Sequence, residues 1–558
     1  MSANSESAAP SASPTAQKVF IPSLIGTSDM TRSLFTCSVA ALAVCALTSV
    51  GSADVRLPEI FSNHMLLQRG LEAPVWGWAD AGEEVSVQFA GQTKVARADV
   101  NGKWISRLTS LEASSEGRSL VVKGKNTITL TDVLVGDVWI CSGQSNMEWA
   151  TRSVINAQDE IKAADFPNIR LFDVPGHTTA VTAQSDVPGG NWQRCNPDSV
   201  ANFSAVGYFF GRQFHRETGV PVGLLGTNWG GTRIEPWIPP AGFRLVPELK
   251  GIADQVDKFD PTTDAGQATW HAHLKEVEAW VAKTRSSLTA GNGVSNRPTT
   301  PGFANAGQPT AIYNSMVHGL APYGVRGALW YQGESNGNEG VSYFQKMKAL
   351  INGWRQVWGQ GEVPLYFYFV QLADFQQPND NPAGGDGWAR IREAQRQSLT
   401  IPHTGMAVIT DIGAANDIHP RNKQDVGHRL ALWALRDVAK KDIVPSGPLF
   451  KSIKVEGPAI RVYFEHAASG LIVGKRKNGL DPTPEVKDGA LKRFAIAGED
   501  KQWHWADAKI DGDTVVVSSK EVQKPVAVRY GFTMNPEDAN LYNKEGIPAS
   551  PFRTDDWK

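Results

Sequence analysis

Two short stretches hold residues of the types that acyl transfer needs. In "VWICSGQSNMEWA", Val138 to Ala150, an apolar run leads through Gly143 to Ser145. In "GAANDIHPRNKQDVGHRLALWAL", Asp417 precedes His419 by two positions. A serine hydroxyl attacks an ester only if a base takes its proton, and an imidazole is a better base when a carboxylate orients it. The tetrahedral intermediate then needs N–H donors aimed at its oxyanion. "GTNWGGTRIEPW" offers the backbone amides of Gly230 and Gly231, and "WYQGESNGN" offers the side-chain amide of Gln332 beside Glu334. Each residue also has a purely structural reading. Ser145 and Glu148 fit a capping box. Asp417 and His419 fit a loop turn, the glycines fit tight turns, and Glu334 could simply pair with Arg233. The G-x-S-x-G elbow of ordinary α/β-hydrolases is absent, because the run is Gly143-Gln144-Ser145-Asn146-Met147.

What separates these readings is where the elements place the residues. From Val138 onward, apolar strand candidates ("VWIC", "NIRLFDV", "PVGLLGTNW", "GALWYQG", "PLYFYFVQL", "MAVITDIG") alternate with amphipathic segments such as "FSAVGYFFGRQFHRET" and "VSYFQKMKALINGWRQVW". Such alternation implies an α/β fold, a parallel sheet covered by helices on both faces, with ligands beyond the carboxyl ends of its strands. Ser145, the glycine pair, Gln332 and the Asp417–His419 loop all follow strands, so they gather at that edge. After His419, Val426, Leu430 and Trp433 form a helical stripe. Residues 136–441 are the expected hydrolase domain. A helical and loop insertion at about 239–305, with Trp270, Leu274, Val277 and Val281 on one helical face, is expected to roof the site. Residues 54–135 read as an N-terminal β-sandwich, with "VSVQF" alternating. Residues 442–558 read as a C-terminal β-rich domain, with Val526, Val528 and Tyr530 alternating.

The 558 residues are 41% hydrophobic and 20% charged, with a formal charge of −2. That describes a globular chain with no basic face for nucleic acid. From Met30, one arginine, an apolar run through Leu47 and small residues ending "GSA" form a signal peptide over 30–53. It implies export, to the periplasm or beyond the cell, with residues 1–29 an over-extended start and no membrane span after cleavage. Cleavage leaves Cys141 and Cys195, too few for a disulfide framework or a cysteine metal site. They either pair or stay as buried thiols. No metal or other cofactor is expected. The dense histidine pair His271 and His273, the one metal-dependent deacetylase candidate, diverges on a helix.

Together "GQSNMEW", "GGTRIEPW", "WYQGESN" and "DIHP" resemble the sequence blocks of the SGNH/GDSL hydrolases. Within these they resemble the sialate O-acetylesterase-like carbohydrate esterases, a group that includes bacterial xyloglucan acetylesterases. The similarity extends to "LPEIFSNHMLLQRG" and "NLYNKEGIPASPFRTDDW" near the ends. The resemblance implies a three-layer α/β/α domain flanked by sandwiches and metal-free ester hydrolysis. It places the nucleophile on Ser145 and the base on His419. The oxyanion donors would be Ser145, Gly230 or Gly231, and Gln332 where the wider superfamily has an asparagine. The usual D-x-x-H spacing is here D-x-H, so Asp417 is the leading orienting acid, with Asp411 and Glu334 as alternatives. Trp149, Trp229, Trp237, Trp330 and Tyr331 flank the motifs as possible sugar contacts. The implied partner is an acetylated poly- or oligosaccharide, xyloglucan before xylan. An O-acetylated sialoside whose carboxylate meets Arg233 is the alternative, and a non-catalytic carbohydrate-binding protein is the alternative class.

Overall fold

The computed structural model describes residues 54–476 and 479–557. The expected signal peptide and over-extended start, with Cys37 and Cys45, lie outside the described residues. The main sheet is built from β1 (Thr127–Gly143), β2 (Phe166–Asp173), β3 (Gln193–Cys195), β4 (Val222–Asn228), β5 (Gly327–Tyr331), β6 (Tyr366–Val370) and β7 (Thr404–Ala407). Their order across the sheet is β7-β6-β5-β1-β4-β2-β3, parallel except for β3, which runs antiparallel to β2. Interior strands of a parallel sheet are covered on both faces and so become continuous apolar runs rather than alternating ones. β5, "GALWY", is accordingly buried at every position.

The main helices are α1 (Ser145–Glu148), α2 (Ala205–Thr218), α3 (Asp264–Thr289), α4 (Val341–Trp358) and α5 (Lys423–Asp437). The apolar face of α2 buries Tyr208, Phe209, Phe210 and Phe214, and the expected stripe of α5 buries Val426, Leu430 and Trp433. Trp139 of β1 meets Phe210 edge-on at 5.0 Å and stacks on Tyr368 at 5.6 Å. Each large side chain removed from water in this way contributes roughly 1.5–3 kcal/mol.

The expected boundary between N-terminal sandwich and hydrolase at residues 135/136 falls inside a single strand. The first part of β1 pairs antiparallel with Ser114–Lys123 and parallel with Leu66–Gln68. Its second part pairs with β4 and β5. At the crossing, a side chain on Gly136 would lie 1.9 Å from the Pro221 carbonyl oxygen, so only glycine fits. Next to it the fully buried Asp137 accepts hydrogen bonds from Arg69 (2.8 Å), Arg326 (3.1 Å) and Gln68 (3.0 Å). The buried Val85, Val87 and Phe89 of "VSVQF" belong to the same continuous apolar core as the hydrolase strands.

The C-terminal region has a core of its own, between one sheet (Leu449–Glu456, Ala459–Glu465, Thr514–Ser518, Asp507–Asp511) and a second (Trp503–Trp505, Phe494–Gly498, Pro525–Tyr530, Phe552–Arg553). Val528 and Tyr530 are buried there but Val526 is exposed. The pairing jumps from Ala497–Ala527 to Gly498–Pro525, so Val526 is the extra residue of a bulge. In the insertion α3 buries little, and Leu274 is exposed. Its tryptophans tie it to its own connecting segments, Trp270 to the Phe259 carbonyl and Trp280 to that of Ser295. Among the described residues it donates no hydrogen bond to Ser145 or His419. Among the described residues no helix is long and apolar enough to cross a membrane.

Candidate active site

β1 ends at Gly143, whose φ of +140° and closeness to β5 (a Cβ would lie 2.2 Å from the Tyr331 carbonyl oxygen) demand glycine. The chain then turns into the single helical turn α1. Gln144 is the N-cap, Ser145 is the first helical residue, and no side chain caps the turn. The capping box is therefore not formed. Ser145 Oγ instead lies 2.9 Å from His419 Nε2, joining segments 274 positions apart. Glu148 Oε2 accepts the Gly230 amide at 2.6 Å and its other oxygen lies 3.0 Å from His177 Nε2.

His419 is held by its surroundings more than by an acid. Asp417 Oδ1 is 3.8 Å from His419 Nδ1, beyond hydrogen-bond reach, and accepts the backbone N–H of His419 at 2.9 Å. The turn reading and the orienting reading of Asp417 thus share one carboxylate, which is 42% exposed. The two alternative acids are engaged elsewhere. Buried Asp411 forms a two-pronged pair with Arg429 at 2.6 and 2.8 Å. Glu334 accepts from Asn146 Nδ2 at 2.6 Å. The Trp149 indole lies flat on the imidazole, centroids 4.7 Å apart and planes 18° apart, with its own Nε1 donating to the Ser153 carbonyl at 3.1 Å. Burial and then the Lys423 ammonium push the imidazole below its ordinary pKa, against a smaller opposing pull from Asp417. A base that stays neutral into mildly acid solution results.

Of the proposed oxyanion donors, the Ser145 amide opens the first turn and, with that of Gly231, makes no hydrogen bond among the described residues. The Gly230 amide is taken by Glu148. Gln332 is a correction. Its side chain is fully buried, with Nε2 donating to Asn336 Oδ1 (2.8 Å), Gln144 Oε1 (3.1 Å) and the Thr232 carbonyl (3.2 Å), while Tyr343 donates to its Oε1 (2.8 Å). An amide nitrogen with two protons and three interior acceptors has none to offer an oxyanion. Gln332 is a strut that ties the loops together.

Arg233 is likewise not paired with Glu334. It binds Glu235 at 3.1 Å, Glu339, and the Ser335 carbonyl at 3.1 Å. Among the flanking aromatics, Trp237, Trp330 and Tyr331 are core, each no more than 1% exposed, and cannot meet a sugar. Trp149 and Trp229 are half-buried, the latter stacked on His177 at 5.0 Å. A cleft of about 220 Å³ adjoins Glu148 and is lined by Arg152, Asp173, His177, Asn202 and Asn228. Cys141 and Cys195 are buried free thiols, pushed above their usual pKa by desolvation. His273 contacts Trp270 and Glu276. No grouping of three or more metal-ligating side chains occurs among the described residues.

The sequence reading missed Asn146, Lys423 and His177. Asn146 follows the nucleophile directly, and its carboxamide reaches three elements. It donates to Glu334 and to the Ile418 carbonyl (3.0 Å) and accepts from Lys423. Lys423 is fully buried, 5.2 Å from the Tyr331 ring centroid and 5.9 Å from that of Trp149. Burial lowers its pKa to about 7, with Glu334 and then Asp417 opposing. Its one sequence signal was its position four residues after His419, at the start of α5.

Comparison with known proteins shows what the chain is similar to. A sialate O-acetylesterase of Rattus norvegicus is 30% identical over 89% of this chain and 94% of its own. The chain belongs to the sialate O-acetylesterase family of carbohydrate esterases. Residues 301–436 match the family described as "carbohydrate esterase, sialic acid-specific acetylesterase". The human sialate O-acetylesterase is 26% identical over 89% of this chain and 92% of its own. Among solved structures, a carbohydrate acetylesterase from Xanthomonas citri is 35% identical, with a TM-score of 0.72 over 90% of this chain and all of that one. The esterase is thus a carboxylic ester hydrolase of the acetylesterase type with an SGNH-like sheet.

Proposed function

We propose that the esterase removes O-acetyl groups from a neutral cell-wall polysaccharide or its oligosaccharides, xyloglucan before xylan, through a serine acyl-enzyme. The observation that carries the mechanism is the 2.9 Å contact between Ser145 Oγ and His419 Nε2 at the carboxyl edge of the sheet. His419 takes the hydroxyl proton as Ser145 attacks the acetyl carbonyl. The oxyanion then rests on the open amides of Ser145 and Gly231. His419 returns the proton to the departing sugar oxygen and next activates water to release acetate. Two carboxylates, Glu148 and Asp173, line the adjoining cleft, and Arg233 is locked in ion pairs. Both features favour a neutral sugar over an anionic one. The sialoside reading keeps one supporting observation besides its relatives: Arg152 lines the same cleft and forms no ion pair among the described residues. The leader over residues 30–53 supports an exported enzyme.

The test is acetate release from acetylated xyloglucan, acetylated xylan and an O-acetylated sialoside, by wild type and Ser145→Ala, with and without chelator. Serine-dependent, chelator-insensitive release fastest from xyloglucan is expected. A folded Ser145→Ala that keeps its rate refutes the mechanism, and preference for the sialoside refutes the substrate.

A further inference from the structure

Among the described residues His419 Nδ1 makes no hydrogen bond of the kind that normally fixes a catalytic imidazole, yet its loop is tied down from another side. The Ile418 carbonyl accepts from Asn146 Nδ2 at 3.0 Å, and the same nitrogen donates to Glu334 Oε1 at 2.6 Å. Asn146 Oδ1 accepts from the Lys423 ammonium. One carboxamide therefore connects the nucleophile's turn, the loop after β5, the His419 loop and the first residue of α5. Glu334 Oε2 makes no side-chain hydrogen bond among the described residues, and Lys423 is enclosed by Tyr331 and Trp149, the indole that stacks on His419. Asn146 donates to Glu334 and accepts from Lys423, so each holds the other in place across it, while burial raises the Glu334 pKa and lowers that of Lys423.

We propose that Lys423 and Glu334, joined through the Asn146 amide, are positioning residues for the hydrolysis, fixing the His419 loop against Ser145 in place of an aspartate hydrogen bond and setting a cation near the imidazole. The inference rests on Ser145 and His419 being the reacting pair. The charged groups facing His419 are Asp417 on its own loop, Lys423 from α5 and, across Asn146, Glu334. Glu148 on α1 turns away to Gly230 and His177. A cation at Lys423 opposes a second cation on the imidazole, which agrees with the direction of the His419 shift. Burial lowers Lys423 to about 7, while Glu334 and then Asp417 favour its charged form.

The experiment compares the full-length wild type with Lys423→Gln, Lys423→Met and Ser145→Ala on p-nitrophenyl acetate across pH. In parallel, the His419 imidazole is titrated by NMR, its signal identified by loss in His419→Gln. Lys423→Gln keeps a donor for Asn146 but no charge, so the acid limb of kcat/KM and the NMR midpoint both move to higher pH. Lys423→Met also loses the donor, and its plateau kcat/KM falls roughly 10- to 100-fold as the imidazole drifts from Ser145. If Lys423→Met does not fold, Lys423→Gln and the NMR midpoint carry the test alone. Lost rate with an unmoved limb and midpoint would make the network merely structural and overturn the proposal. A Ser145→Ala enzyme that remains active would instead overturn the serine mechanism, while the midpoint still decides the role of Lys423.

Discussion

Asp417→Asn is the substitution that best separates this site from an ordinary triad. The carboxylate lies 3.8 Å from His419 Nδ1 without a hydrogen bond, and its Oδ1 holds the His419 backbone N–H. Asparagine keeps that acceptor, so the loop survives and only the charge is lost. At 3.8 Å the attraction to an imidazolium is ~1 kcal/mol at the dielectric of water and ~4 kcal/mol at an effective value of 20. Since Asp417 is 42% exposed and His419 26%, the watery end of that range applies. A loss of ~1–2 kcal/mol corresponds to roughly 5- to 30-fold in kcat/KM. A triad whose acid bonds Nδ1 and fixes its tautomer loses about 10⁴-fold on the same change. The assay is kcat/KM on p-nitrophenyl acetate and on an acetylated oligosaccharide, with a thermal melt as the control for folding. Because Asp417 raises the imidazole pKa, the acid limb should also move to lower pH. A loss above 10³-fold in a variant that melts like wild type would show that the carboxylate closes onto Nδ1 during catalysis and would refute the reasoning.

In wild type, burial and Lys423 depress the His419 pKa, so the acid limb of kcat/KM should lie below the ordinary histidine value; a limb above it sinks that account. Gly230→Ala places a methyl 3.3 Å from Ser145 Cβ and 3.0 Å from Glu148 Oε2. It should cost roughly 1–3 kcal/mol of stability or an equivalent loss of rate, seen as a lower Tm or lower kcat, and an unaffected enzyme counts against the packing described. Gln332→Leu should destabilise by roughly 2–4 kcal/mol by stranding buried partners, read from denaturant unfolding. Loss of 10²-fold in kcat at unchanged stability would restore Gln332 as an oxyanion donor.

The strands and their order of use were readable because buried parallel strands leave long apolar runs between turn formers. The gathering of Ser145, the glycine pair, Gln332 and His419 at one edge followed from that alone. What escaped was set by neighbours distant in sequence. Lys423 in "HPRNKQ" has the composition of a solvated first turn, and only enclosure by Trp149, Tyr331 and Asn146 buries it. Trp330 and Tyr331 looked like site aromatics because they abut a motif. They are strand residues in the middle of a sheet covered on both faces, which leaves neither side to solvent. Whether an amide such as Gln332 faces a cleft or the interior depends on which acceptors surround it, and those come from residues 144, 232 and 336.

β1 has a bearing on how this enzyme can be engineered or inherited. A single run of backbone leaves the N-terminal sheet, passes the Gly136–Pro221 contact and the Asp137 cluster, and delivers Ser145 at its far end. Cutting near residue 136 would remove Arg69 and Gln68 from a buried carboxylate and strip the flank of the strand that carries the nucleophile. The N-terminal sheet is therefore not an accessory that can be trimmed, swapped or replaced by a tag. A minimal hydrolase has to begin upstream of Leu66, and recombination between relatives should find its crossovers toward the C-terminal sandwich, which closes around a core of its own.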